Sequence, residues 1–244
     1  MYYRTPELNE KLYLHYKGFH TIKNLEQFTD LKCLYFEGNG CKKLAGLEKN
    51  VKLRCLFIQE NVIPTIEGLD TLTDLRQLDL SSNIISHVQG LEKLTILDNL
   101  NLKGNKLGQT KDSCVDCIKG LLDCPSITTV DLSQNFLKDP ALVDEVLCKM
   151  PNLKVLYCQG NPFVNKVPSY RKALIVKIPE LMYLDDRPVF PEDRRRAEAY
   201  VKGGWDEERI EMKKIKKEKE DEYNANHEAF RLMIDDVKKQ KAKE

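Results

Sequence analysis

Neither sign of charge dominates this chain: 39 lysines and arginines stand against 38 aspartates and glutamates in 244 residues. A net charge of +1 gives no global field to collect nucleic acid or an anionic membrane surface. Long apolar runs are also missing. The opening residues, Met1-Tyr2-Tyr3-Arg4-Thr5-Pro6, hold no stretch of signal-peptide length, and the run from Ala173 to Val176 is far too short to span a bilayer. Secretion and membrane insertion are therefore not expected, and the eight cysteines are read as thiols in a reducing compartment. Catalytic signals are equally scarce. His15, His20, His87 and His227 have no metal-ligand partner at useful spacing, and there is no Gly-rich phosphate loop. Cys114-x-x-Cys117, with Cys124 nearby, invites comparison with a zinc site. It lacks a second pair at finger spacing, and its cysteines fall on the apolar face of a helical pattern, which favours core packing. No catalytic residue, metal or cofactor is expected.

What the chain does have is a period. Leu31-Lys-Cys-Leu34-Tyr-Phe36-Glu-Gly-Asn39 recurs as Leu53-Arg-Cys-Leu56-Phe-Ile58-Gln-Glu-Asn61, then as Leu75-Arg-Gln-Leu78-Asp-Leu80-Ser-Ser-Asn83 and Leu97-Asp-Asn-Leu100-Asn-Leu102-Lys-Gly-Asn105. The interval is 22 residues each time. Two further copies follow, ending at Asn135 after 30 residues and Asn161 after 26. A degenerate copy precedes them all, with Leu12, Leu14, Phe19, Ile22 and Leu25 in register and Lys17 in the asparagine position. A period of 22 rather than 3.6 excludes a leucine-rich helical bundle.

The pattern L-x-x-L-x-L-x-x-N-x-L has a physical reading. Leu-x-Leu is a short strand whose alternate side chains point inward. The asparagine marks the turn, where its amide serves backbone groups left unpaired there and in the next coil. Asn39, Asn61, Asn83, Asn105, Asn135 and Asn161 thus form a structural ladder. Ile63, Ile66, Leu69 and Leu72, and then Ile85, Val88, Leu91 and Leu94, supply apolar surface that one coil cannot bury alone, so neighbouring coils must stack. The expected fold is α/β: a leucine-rich-repeat solenoid with a concave parallel β-sheet of seven strands, roughly 30 Å long at the usual strand spacing. In the longer coils, residues 111–122, with Cys114, Cys117, Ile118 and Leu121 at helical spacing, predict an inserted helix on the convex side. Residues 140–150 predict another, with Pro140 in its first turn.

After Asn161 the sequence from Tyr170 to Asp185 resembles the C-terminal cap of the 22-residue subclass of leucine-rich-repeat proteins, which places Leu174, Ile175 and Ile178 over the last coil and Leu181 and Leu184 in the plug. Residues 192–202 read as helix, Gly203-Gly204 breaks it, and residues 206–222 interleave lysine and glutamate as a solvated helix with i,i+4 ion pairs does. Tyr223, Phe230, Met233 and Val237 then mark a narrow apolar stripe, either an exposed frayed helix or a docking helix. The expected organisation is an N-terminal cap and degenerate first repeat over 1–30, leucine-rich repeats over 31–160, a repeat cap over 161–190 and a charged helical tail over 191–244.

A solenoid exposes the non-leucine residues of each strand on its concave side. Between the two strand leucines these are Tyr13, Tyr35, Phe57, Asp79, Asn101, Asp131 and Tyr157. Lys11, Cys33 and Cys55 flank the three aromatics on one side, and His15, Glu37 and Gln59 on the other. An aromatic stripe rimmed by polar groups is the composition of a protein-binding surface; the alternative is that Tyr2 and Tyr3 fold over the rings. Asp79 and Asp131, with Ser81 and Ser133, offer acceptors to basic or hydroxyl groups of the same partner. Cys33 and Cys55 are adjacent, yet no disulfide is expected.

Four stretches carry a more specific resemblance. They are the block from Tyr3 to Phe19, Leu53-Arg-Cys-Leu-Phe, Tyr183-Leu-Asp-Asp-Arg-Pro-Val-Phe-Pro191, and Ala197-Glu-Ala-Tyr-Val-Lys-Gly-Gly204. Over residues 2–205 the chain resembles the dynein axonemal assembly factor 1 family of ciliary leucine-rich-repeat proteins. The resemblance implies a non-catalytic role in cytoplasmic pre-assembly of dynein arms for motile cilia, with dynein chains and chaperone-linked factors as protein partners, and with residence in the cilium also open. Two other roles remain compatible with the repeat: a structural protein of the axoneme bound to dynein or tubulin, and a phosphatase-regulatory subunit.

Overall fold

The computed structural model describes residues 4–109 and 114–241. The chain divides into two compact units, one ending at Val189 and one beginning at Phe190.

The first unit is a stack of coils. Each coil turns at both ends of its strand, so only three residues stay extended: β1 Lys11–Tyr13, β2 Cys33–Tyr35, β3 Cys55–Phe57, β4 Gln77–Asp79, β5 Asn99–Asn101, β6 Thr129–Asp131 and β7 Val155–Tyr157. Two shorter strands, β8 Tyr183–Leu184 and β9 Arg187–Pro188, complete one nine-stranded sheet in sequence order. Seven parallel strands were expected; the cap adds an eighth parallel strand and an antiparallel return. The register is the repeat itself, Leu34 facing Leu56, Leu56 facing Leu78 and Leu78 facing Leu100. These leucines are fully buried, as are Ile63, Leu72, Ile85 and Leu94 from the second halves of the coils.

The asparagines explain how consecutive coils lock. Asn83 Nδ2 donates to the carbonyls of Ile58, Leu80 and Ser81 at 3.0–3.2 Å, while its Oδ1 accepts from Ile63 N at 3.0 Å. Asn61, Asn105 and Asn135 repeat this set of four bonds. The tie runs back to the preceding coil, not forward to the next, because the side chain leaves its turn toward the N-terminal neighbour. Asn39 reaches back to Leu14 and binds Lys17 N and Phe19 N, so the first coil is tied although it has no asparagine of its own. At the other end Asp185 takes over the task, its Oδ1 accepting from Cys158 N and Gln159 N.

On the side of the coils away from the strands the stack is tight enough to exclude a side chain. A Cβ on Gly68, at φ +67°, would stand 2.2 Å from Leu44 O, and Gly46 and Gly90 meet the preceding coil in the same way. The terminal coil departs from the expected pattern. Leu12, Ile22 and Leu25 are buried, but Phe19 is exposed, its ring lying 5.9 Å from that of Phe36.

The 30-residue coil carries a 3₁₀ helix, Asp116–Asp123, not an α-helix. Val115, Ile118, Leu121 and Cys124 are all buried at intervals of three, the period at which 3₁₀ side chains line up. Lys111, where the predicted helix begins, lies outside the described residues. Cys114, Cys117 and Cys124 are packed in the apolar core. In the 26-residue coil, helix α1 (Leu142–Glu145) and a 3₁₀ turn (Leu147–Lys149) replace one longer helix, and Pro140 precedes α1 rather than opening it. Helix α2 (Tyr170–Lys177) supplies buried Leu174 and Ile175, with Ile178, Leu181 and Leu184 buried beyond it.

The second unit is a helical hairpin within α3 (Pro191–Lys241), broken by non-helical Gly203 and Gly204. Gly204, at φ 70° and ψ −151°, occupies backbone space open essentially only to glycine. Past this turn the second arm faces the first. Arg195 bridges Glu211 at 2.6 Å and Glu218 at 2.6 Å, Lys219 reaches Glu192 at 2.9 Å, and Arg196 meets Glu208 at 3.1 Å. Here the expectation of a solvated helix laced by i,i+4 pairs is corrected. Among the described residues Lys216–Glu220, at 3.7 Å, is the i,i+4 pair, and the shorter contacts cross between arms. Tyr223, Phe230 and Met233 are exposed, and the Val237 side chain lies outside the described residues. No helix of the described residues is long and apolar enough to cross a membrane.

Candidate protein-binding face

Residues flanking each strand leucine project from the outer face of the sheet because side chains alternate along a strand. In-register parallel pairing then sets residues one repeat apart beside each other. Tyr13 and Tyr35 stack with ring centroids 4.7 Å apart and planes 13° apart; Tyr35 and Phe57 follow at 4.8 Å and 12°. The ring spacing equals the spacing of neighbouring strands. Tyr13 is 44% exposed, whereas Tyr35 and Phe57 are half-buried between their neighbours. A hydrogen bond shared with Cys33, reinforced by burial, pushes the Tyr35 phenol up to about 12.

Cys33 lies beside the rings but offers no surface to a partner. It is 7% exposed, and burial raises its thiol pKa. Cys55, directly beside it in register, is half-buried, and both are free thiols. On the other flank His15 meets Tyr13 edge-on at 6.2 Å and lies 3.9 Å from Glu37. Glu37 Oε2 and Gln59 Oε1 are buried without a hydrogen-bond partner.

Beyond Phe57 the face turns polar and its groups serve one another. Asp79 Oδ1 accepts from Ser81 N at 2.9 Å and Ser81 Oγ at 2.7 Å, and Asp79 Oδ2 accepts from Asn101 Nδ2 at 3.0 Å. Asp131 holds Ser133 in the same way. The serine hydroxyls expected to face a partner thus already donate to these carboxylates, and Asp79 Oδ2, with one donor, keeps room to accept another. Tyr157 stands apart from the aromatic stack, four coils beyond Phe57, and its ring lies 5.8 Å from Tyr183.

Tyr16 belongs to this face and escaped the sequence reading because it lies outside the strand. Its ring lies across Gly38, where a Cβ would come within 2.0 Å, and its hydroxyl donates to Glu60 at 3.0 Å, two repeats along. That hydrogen bond raises the Tyr16 phenol above its ordinary value. Gly38 alone was no signal, since Gly104 and Gly160 hold the same repeat position. Tyr2 and Tyr3, the alternative cover for the rings, lie outside the described residues. Among the described residues no three His, Cys, Asp or Glu side chains converge as a metal site.

A family model described as leucine-rich repeat matches residues 49–216. The chain belongs to the leucine-rich-repeat family. This leucine-rich-repeat protein is 51% identical over 231 residues to "Leucine-rich repeat-containing protein ODA7" of Chlamydomonas reinhardtii, covering 95% of its own length and 52% of that relative. It is 60% identical over 209 residues to human "Dynein axonemal assembly factor 1", covering 86% of its own length and 28% of the relative. With the Drosophila melanogaster homolog of that factor it shares 56% over 209 residues, 86% of this chain and 14% of the relative. The chain therefore spans about half the length of the algal relative and less than a third of these animal ones. Among solved structures, the functional domain of InlJ from Listeria monocytogenes matches with a TM-score of 0.51 at 20% identity, covering 72% of this chain and 39% of that one. A Listeria monocytogenes internalin, inlF, matches with 0.51 at 22%, covering 73% and 61%. At that identity the likeness concerns the fold alone.

Proposed function

We propose that this leucine-rich-repeat protein is a non-catalytic scaffold that holds another protein on the outer face of its sheet during cytoplasmic pre-assembly of axonemal dynein arms. The observation that carries the binding site is the Tyr13–Tyr35–Phe57 stack: rigid aromatic surface beside buried acceptors that lack donors. Aromatic side chains give large contact area at low entropic cost and dominate the energy of protein interfaces. The process is supported by 51–60% identity to relatives named for dynein assembly. The partners that follow are axonemal dynein chains or the chaperone-linked factors that fold them, met in the cell body.

The test is affinity purification from ciliated cells, with partners identified by mass, using the natural chain and a variant carrying Tyr13→Ala, Tyr35→Ala and Phe57→Ala. The wild type is expected to recover dynein chains or assembly factors, and the triple variant to lose them while keeping its circular dichroism spectrum. Undiminished recovery by a folded triple variant would remove the aromatic face from the reading. A phosphatase as the principal co-purifying protein, or enrichment in purified axonemes over the cell body, would replace pre-assembly with a regulatory or a structural role.

A further inference from the structure

The aromatic stack ends beside an aspartate, and this juncture specifies what the partner brings. Ring faces inside the stack cover one another, because Tyr13, Tyr35 and Phe57 are nearly parallel and one strand apart. Phe57 has one face on Tyr35 and, among the described residues, no ring on the other. In register beside it on the next strand stands Asp79. A planar group continuing the series by one further step of about 4.8 Å would lie on the open face of Phe57 and above the Asp79 carboxylate.

The chemistry of the surroundings selects that group. Around this juncture the carboxylates are Glu37, Glu60 and Asp79, and among the described residues no lysine or arginine pairs with Glu37 or Asp79. Lys103, two residues past Asn101 on the next coil, makes no ion pair with Asp79. Glu37 Oε2 and Gln59 Oε1 are acceptors without donors. A flat, donor-only cation satisfies all three features. It stacks on a ring face, donates to a carboxylate oxygen such as Asp79 Oδ2, which accepts one bond within the protein, and brings no acceptor of its own. An ammonium group meets the charge but not the flat stacking geometry.

Resting on the reading that this face binds a protein, we infer that the slot between Phe57 and Asp79 receives an arginine side chain of the partner. The guanidinium lies on Phe57, and its N–H groups point to Asp79 and, with a turn of the amide, to Gln59.

The experiment uses the full chain and two blocked tripeptides, Gly-Arg-Gly and the same peptide with citrulline, a neutral planar isostere. Aromatic resonances of Phe57 are followed by NMR. The arginine peptide is expected to shift them at least five-fold more strongly, per unit concentration, than the citrulline peptide. Asp79→Asn is expected to erase most of that difference. Asparagine is accommodated at this ladder position, since Asn101 fills it on the next coil. Equal responses to the two peptides, or an arginine response unchanged in Asp79→Asn, would overturn the slot. Shifts of Phe57 that grow with protein concentration alone would put a second copy of the chain there and overturn a partner's arginine. The wider reading fails separately. Partner recovery that survives Asp79→Asn but not the triple aromatic variant removes the arginine and keeps the face, whereas recovery that survives both removes the face as well.

Discussion

The coil stack and the helical hairpin are built from opposite materials. The stack buries one leucine or valine per strand from Leu34 to Leu156 and satisfies its turns with buried amides, each bond recurring one repeat later. The hairpin joins its arms by ion pairs between half-buried and exposed side chains, Arg195 with Glu211 and Glu218 and Lys219 with Glu192, and buries little apolar surface beyond Ala197 and Ile215. Apolar burial is insensitive to salt and to mild acid. Surface ion pairs are weak individually and respond to both. The first unit therefore supplies a rigid frame that can hold rings at fixed spacing, and the second is adjustable by its surroundings. Only the first has the preorganisation that a recognition surface needs.

The sharpest way to break this contrast is to open a hole in the stack. Leu78 is fully buried, with Leu56 and Leu100 beside it in register. Leu78→Ala is expected to destabilise the first unit by about 3–5 kcal/mol, the transfer and cavity terms together. Because each coil is stabilised mainly by its neighbours, the loss is expected to appear as one cooperative shift in a urea melt of the coils. A broad multi-step melt would show the coils to be less coupled than their shared core implies. A smaller effect is expected at the amide ladder. Asn83→Ala leaves Ile63 N and three carbonyls without their partner, at about 1–3 kcal/mol. Hydrogen exchange at the Ile63 amide should speed up more than exchange at Leu100. Equal acceleration at both would mean that the ladder acts through global stability rather than by tying neighbouring coils.

How far these features can be read from the chain follows from how local their causes are. The solenoid was legible because Leu34, Leu56, Leu78 and Leu100 repeat at a fixed interval that only stacking satisfies. The stacked rings were legible because Tyr13, Tyr35 and Phe57 share one repeat position. The glycines at 46, 68 and 90 were equally periodic; their meaning lies in a carbonyl of the preceding coil, which a single coil does not reveal. The 3₁₀ form of the inserted segment was encoded in Val115, Ile118, Leu121 and Cys124 at spacing three, a pattern that overlaps an α-helical one over so few residues. The burial of Cys33 and the pairing of Asp79 with Ser81 and Asn101 depend on side chains meeting across coils, and composition does not state those contacts. The hairpin was half legible: Gly203-Gly204 announced a break, but nothing local says that Arg195 will find Glu218.

The gentlest perturbation separates the two units most cleanly. Lys219 holds the Glu192 carboxyl below its ordinary pKa, and Arg195 does the same for Glu218. A carboxylate whose folded pKa is depressed contributes its full stabilisation above the unfolded value, about 4.3, and loses it as pH falls through the folded value. The hairpin contacts are therefore expected to weaken below about pH 4, and in high salt at neutral pH as well, where screening acts on the same pairs. In the coil stack the depressed carboxyls are Asp30, held by Lys52 in one exposed pair at 2.5 Å, and Glu48, held by the Gly46 amide, and the leucine core beneath them carries no such charge. Backbone amide exchange across residues 192–219 should thus rise on acidification before exchange at Leu56, Leu78 and Leu100 changes. Arg195→Gln should bring the rise at neutral pH without moving the urea midpoint of the coils. If both units loosened at the same pH, or if Arg195→Gln left the arms protected, the ion pairs would not be what joins them, and apolar packing along α3 would have to take their place.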